Sequence, residues 1–246
     1  QPQGCASIEP QSLGTSMPET EVVRRAVGLT RTRDFRHWPA AKLLLHPDAQ
    51  DPLDVSFYGA AYFPYPGRQE LHAMVLPVFH MATDHLDLQL AFSRDGIVWT
   101  RPERRAVLSR GPRGSGEEGQ LHPWRNGLVE LPDGYWALAY QSRSSLHTTP
   151  EKYKPGLFPE MQPNQTRWAR WRPHRLCGVE AETEGRFTIP TVYRLENELR
   201  LNYRCAPGGW IEVELLRYIP TMQAVDANPL RGYSFEICDR LVGDEE

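Results

Sequence analysis

Two stretches of the chain, Thr32-Arg33-Asp34-Phe35-Arg36-His37-Trp38 and Ser93-Arg94-Asp95-Gly96-Ile97-Val98-Trp99, carry a hydroxyl, an Arg, an Asp and a Trp at the same offsets. A Ser or Thr and an Asp two residues later can both accept backbone N–H bonds within a tight turn, and the Trp can pack back over the hairpin. Each copy follows an apolar run, Ala26 to Leu29 or Leu86 to Phe92, and precedes a Pro and a further apolar stretch. Each therefore reads as strand, turn, strand. Asp34 and Asp95 are expected to be structural turn residues, and Trp38 and Trp99 to be buried beside their hairpins.

Around these turns the chain reads as all-β. Twenty-two Pro and 19 Gly spread through 246 residues leave little room for long helices, and the Tyr, Phe and Trp content suits pleated, half-buried surfaces. Further strands are expected at Val55 to Pro64, Leu71 to His80 and Leu86 to Phe92, with an outer strand at Trp99 to Leu108. After a Gly-rich loop at 111–119, a second unit opens with Trp124 to Leu131, a Pro132-Asp133-Gly134 turn and Tyr135 to Gln141. A turn repeated once per four-stranded sheet is the mark of β-propeller blades, here with a period above the usual 40–50 or so residues and so with long connections. Ser142 to Gln165 is Pro-rich and reads as a long loop. Beyond it lie short strands, Arg167 to Trp171, Arg186 to Tyr193, Glu198 to Tyr203 and Trp210 to Arg217, with Gly208-Gly209 marking a hairpin. The expected division is an N-terminal extension at 1–21, propeller blades at 22–175, and C-terminal strands at 176–246 forming a closing blade or a β-sandwich.

Composition narrows the function classes. With 28 Lys+Arg against 31 Asp+Glu, the net charge of -3 gives no basic field for a phosphate backbone, so no nucleic-acid partner is expected. No apolar run approaches the roughly 20 residues of a spanning helix, so no membrane partner is expected either. Cys5, Cys177, Cys205 and Cys238 form no C-x-x-C pair; a Cys177–Cys205 bridge is possible in principle, with buried free thiols the simpler reading. The first residues lack the order of a signal peptide, which leaves localisation open and a secreted or periplasmic site conceivable if a signal was removed. Oligomeric state is not legible.

The two turns, Asp34 to Trp38 and Asp95 to Trp99, resemble the Ser-x-Asp-x-x-x-Trp turn of the five-bladed propeller glycoside hydrolases of families 32, 43 and relatives. The segments from Gly185 through Leu199 and Trp210 to Phe235 look like the β-sandwich strands that follow such a propeller. The resemblance covers roughly residues 22 to 244, and implies a chain that begins after the first blade or blades and stops before the sandwich closes. It also implies a glycan as substrate or ligand. The acidic strings of those families do not occur here. Their closest counterparts are Asp51-Pro52 and Asp54, before the strand at Val55, and Glu117-Glu118, before the strand that leads to Trp124.

Glycoside hydrolysis needs two carboxyl groups flanking the scissile bond, about 5–5.5 Å apart for retention and about 6.5–9.5 Å for inversion. Asp54 and Glu118 precede the inner strands of successive units and are the expected catalytic pair, Glu118 as proton donor, with Asp51 and Glu117 as register alternatives. Tyr58, Trp124 and Tyr153 can stack on a sugar ring and Arg125 and Asn126 can bond its hydroxyls. His80, Asp84, His85 and Asp87 form the densest ionisable cluster, and alternation sets His85 and Asp87 on one strand face, where they are assigned to substrate binding. A zinc site would need a further ligand, with His122 the candidate. The cluster therefore reads as a polar loop, and no metal or cofactor is expected. Two rivals stand beside the hydrolase: a non-catalytic carbohydrate-binding or scaffold propeller, and a sialidase-like enzyme, which would need an arginine cluster for an acidic sugar.

Overall fold

The computed structural model describes residues 4–7, 24–147, 163–189, 199, 201–222 and 224–245. Among them the chain is all-β, with no α-helix and one 3-10 turn at Pro220–Met222. It divides into two compact units, Gln1–Cys177 and Gly178–Glu246.

In the first unit, β1 (Gly4–Ser7), β2 (Val27–Thr30) and β3 (Lys42–Leu45) form a three-stranded antiparallel sheet. Residues 4–7 of the segment read as an extension thus supply a strand. A seven-stranded sheet is built from β4 (Val55–Phe57), β5 (Ala61–Tyr65), β6 (Arg68–His80), β7 (His85–Ser93), β8 (Gln120–Glu130), β9 (Trp136–Arg143) and β10 (Gln165–Trp171). Its order is β10-β9-β8-β7-β6-β4, with β5 also on β6. The expected single strand at Val55 to Pro64 is two, because Tyr58 to Ala60 leave the ladder between β4 and β5. Every neighbouring pair is antiparallel except β7 and β8, which meet through one parallel bridge, Leu86 to Gln120.

The core follows from the two-residue period of β6. Ala73 and Val75, with Ala61, Phe63, Leu88 and Leu90, pack against Leu121, Leu128, Trp136, Leu138 and Tyr140 of β8 and β9. Met74, Leu76 and Val78 leave the opposite face and pack with Val27, Val55 and Phe57, covered by Leu44, Leu45 and Trp99. The strands β4 to β7 are therefore sandwiched between β2–β3 on one side and β8–β9 on the other.

Both motif turns form as the sequence predicts. Asp95 Oδ1 accepts from the amides of Ile97 and Val98 at 2.8 Å, and Asp34 Oδ1 accepts from those of Arg36 and His37 at 2.9 Å. The residue after each Asp is left-handed, Gly96 at φ 69° and Phe35 at φ 58°. The turns join β2 to β3, and β7 to the segment Thr100–Leu108. That segment was expected as a full outer strand, but it touches β7 only through bridges at Phe92–Thr100 and Leu88–Leu108. The tryptophans depart from expectation. Trp99 is half-buried against the core, whereas Trp38 stays 47% exposed, its indole N–H bonded to Phe35 O at 3.2 Å and its ring edge-on to that of Phe35 within its own turn.

In the second unit, β11 (Tyr203–Arg204) pairs with β14 (Asp244–Glu245), and β12 (Leu216–Ile219) with β13 (Ala224–Pro229). The Gly208-Gly209 turn forms without closing the expected hairpin: its flanks pair instead with the C-terminal segment, Cys205 N to Gly243 O and Ile211 to Leu241. Residues 186–189 are not strand, while 148–162, 190–198 and 200, which include parts of two expected strands, part of the Pro-rich loop and the candidate Tyr153, lie outside the described residues. Cys177, Cys205 and Cys238 are free thiols, and Cys177 is exposed rather than buried.

Candidate functional site

The strand registers gather most of the chemistry-bearing residues at one end of the seven-stranded sheet. Val55 pairs with His80, His80 with His85, Leu86 with Gln120 and Gln120 with Arg143. Asp54, the His80–His85 turn, Glu118 and His147 all lie at this end.

One polar array runs along it. The Tyr58 hydroxyl meets His147 Nε2 at 2.7 Å, His147 Nδ1 meets Gln120 Oε1 at 3.0 Å, and His122 Nε2 meets the same oxygen at 3.1 Å. The Gln120 amide is oriented by its nitrogen, which donates to the carbonyls of Ser145 and Leu146. Its oxygen must therefore accept, so both imidazoles donate to it and the Tyr58 hydroxyl donates to His147 Nε2. Burial, then the positive charges of Arg143 and His147, pushes His122 down to about 4. Burial likewise lowers His147. Near pH 7 the array is a chain of neutral donors and acceptors.

The array ends in a groove of about 540 Å³ lined by His122, Pro123, Trp124, Arg125, Asn126 and Gln141. A bulge in β8 builds it. Pairing with β9 shifts register between Pro123 and Leu128, and Gly127 takes φ 63° against the Phe63 ring, where a Cβ would collide. Trp124 is consequently 52% exposed, while the Arg125 guanidinium is anchored on Ala60 O at 3.2 Å. An exposed indole beside planar polar side chains can stack on a sugar face and bond its hydroxyls.

The expected site residues do not all share this groove. Trp124 and Arg125 line it, and Tyr58 joins it through His147 and Gln120. Tyr58 contacts Phe79, whereas His85 stacks on His80, the next residue of β6. Neighbouring residues of a strand leave opposite faces. His85 and Asp87 therefore sit on the other face of the sheet from Tyr58, together as alternation predicts.

Asp54 and Glu118 share the sheet end without touching each other. Asp54 Oδ2 accepts from the Ala82 amide at 3.2 Å. Glu118 Oε1 accepts from the Gly114 amide at 3.2 Å, and its Oε2 is buried with no hydrogen-bond partner among the described residues. The register alternatives have structural partners. Asp51 is bonded by the buried guanidinium of Arg101, and Glu117 accepts from the Tyr140 hydroxyl and pairs with Arg167.

Gln120 and His147 were not singled out from the sequence. His147 is 27 residues from Gln120 and 89 from Tyr58, so no local pattern announces them. Comparison with protein families, with curated proteins and with solved structures finds no match to this chain.

Proposed function

We propose that the protein acts on a glycan, seating it in the Trp124 groove, and that glycoside hydrolysis by Asp54 and Glu118 is its reaction. The observation that carries the glycan reading is the exposed Trp124 on its bulge, with His122, Arg125, Asn126 and Gln141 around it. The neutral His122 adds an acceptor nitrogen, since its Nε2–H is spent on Gln120. Support for the carboxyl pair comes from their common sheet end, Asp54 preceding β4 and Glu118 preceding β8. The packing of β2–β3 against the strands of the larger sheet and the repetition of one Asp turn after β2 and after β7 favour a propeller of the glycoside hydrolase kind as the architecture.

The rival, a binding-only propeller, draws on the use of one carboxylate oxygen by each candidate to hold its own loop. A sialidase-like reading has less support, because Arg101 and Arg104, which share the carboxylates of Asp48 and Asp51, are neutralised by them. The deciding experiment screens oligosaccharides for binding and cleavage. Trp124→Ala should abolish binding, and Asp54→Asn and Glu118→Gln should abolish cleavage with binding retained. Cleavage that survives both carboxamide variants refutes the catalytic assignment, and binding unaffected by Trp124→Ala refutes the groove.

A further inference from the structure

We propose that His80, His85 and Asp87 form a binding site for a divalent transition-metal ion of the zinc class, on the face of the sheet opposite the Trp124 groove. The three residues belong to the ends of β6 and β7, on either side of the turn at 81–84. His80 and His85 are a cross-strand pair, and Asp87 stands opposite Val78, two residues before His80, so all three side chains leave one face. Their potential ligand atoms lie within 4.8 Å of one another. His80 Nε2 and Asp87 Oδ2 are 3.2 Å apart, which matches the edge of about 3.3 Å that follows from zinc–nitrogen and zinc–oxygen bonds near 2.0–2.1 Å in a tetrahedron. The remaining separations must close by at most about 1.5 Å to reach the same geometry, a side-chain movement open to half-buried residues at a turn.

Two further features favour an ion here. Asp87 Oδ1 is buried and has no hydrogen-bond partner among the described residues. A carboxylate oxygen held out of water calls for a positive partner. The His85 ring also stacks on the His80 ring, centroids 4.9 Å apart, which holds the two imidazoles side by side. On binding, the ion takes the place of the proton between His80 Nε2 and Asp87 Oδ2, and that proton leaves to solvent.

Two imidazoles and one carboxylate suit zinc, cobalt, nickel or copper rather than calcium or magnesium, and leave a coordination position open. The charges that bear on the imidazoles from outside the triad are Asp54, which favours a cation, and Arg110, which opposes it with its guanidinium tied to Glu118 O.

The test is calorimetric titration of Zn²⁺ into the untagged full chain, with Co²⁺ as a spectroscopic stand-in. One ion per chain is expected, with a rise in melting temperature and visible cobalt bands of an ion with mixed imidazole and carboxylate ligands. His85→Ala and Asp87→Asn should each weaken binding at least about tenfold, whereas His122→Ala, on the other face, should leave it unchanged. Calcium should not compete. No binding of Zn²⁺ at millimolar concentration, or binding that persists in both variants, overturns the proposal. Should a variant fail to fold, the wild-type cobalt spectrum decides: featureless octahedral aquo-type bands refute the site. Loss of glycan binding in Trp124→Ala bears on the groove alone.

Discussion

Among the described residues Arg101 is a fully buried charged residue, with its side chain 1% exposed and Asp51 beside it at 4%. Its guanidinium also bonds Gln89 Oε1 at 3.1 Å and lies over the Phe57 ring at 4.6 Å. Removing one member of such a pair strands a buried charge, so Arg101→Ala should cost about 3–5 kcal/mol in denaturant unfolding, while Arg101→Met with Asp51→Leu should recover most of the loss. A lone Arg101→Ala that unfolds like wild type would contradict this. His122 makes the pH argument. Its folded value of about 4 lies below the ordinary 6.5, so the unfolded chain binds the proton more readily. Stability is therefore full above pH 6.5 and falls by up to about 1.4 kcal/mol per pH unit as pH drops toward 4. His147 shifts in the same direction. His122→Gln should flatten that slope in melting curves taken across the same range.

The β8 bulge shows what one element does for the groove. Gly127 is its hinge, and Gly127→Ala adds both a left-handed Cβ and a collision with Phe63. We expect a loss of about 2 kcal/mol or more, together with weaker glycan binding, since Trp124 and Arg125 ride on the same bulge; unchanged stability would show that the bulge relaxes freely. At this scale the sequence was partly legible, and the dividing line is the range of the forces. The Ser93–Asp95 turn closes on its own amides, and the Pro66-Gly67 and Pro132-Asp133-Gly134 turns depend on local backbone preference, so all three can be read from short strings. The bulge cannot, because it is set by the Phe63 ring from another strand. Nor can the Tyr58–His147–Gln120 array or the Arg101–Asp51 pair, whose members meet only after the sheet has formed. The failure of the Gly208-Gly209 hairpin has the same origin: the turn is local, but residues 241–244 compete successfully for its flanks.

Over the whole molecule, burial is uneven. Every fully buried hydrophobic side chain among the described residues lies between Val27 and Tyr140, and none of the described residues of 178–246 is fully buried. Residues 1–177 expressed alone should therefore retain a cooperative thermal transition, and 178–246 alone should not; a truncated first unit without a transition would show that its stability depends on the remainder. Within that first unit, the strands before and after the loop at 109–119 are bound as antiparallel blocks, yet β7 and β8 share a single bridge. What joins the two blocks is therefore side-chain packing rather than a ladder: Ala61, Phe63, Val75 and Leu88 of one close on Leu121, Leu138 and Tyr140 of the other, so the seam resists water without being stitched by backbone bonds.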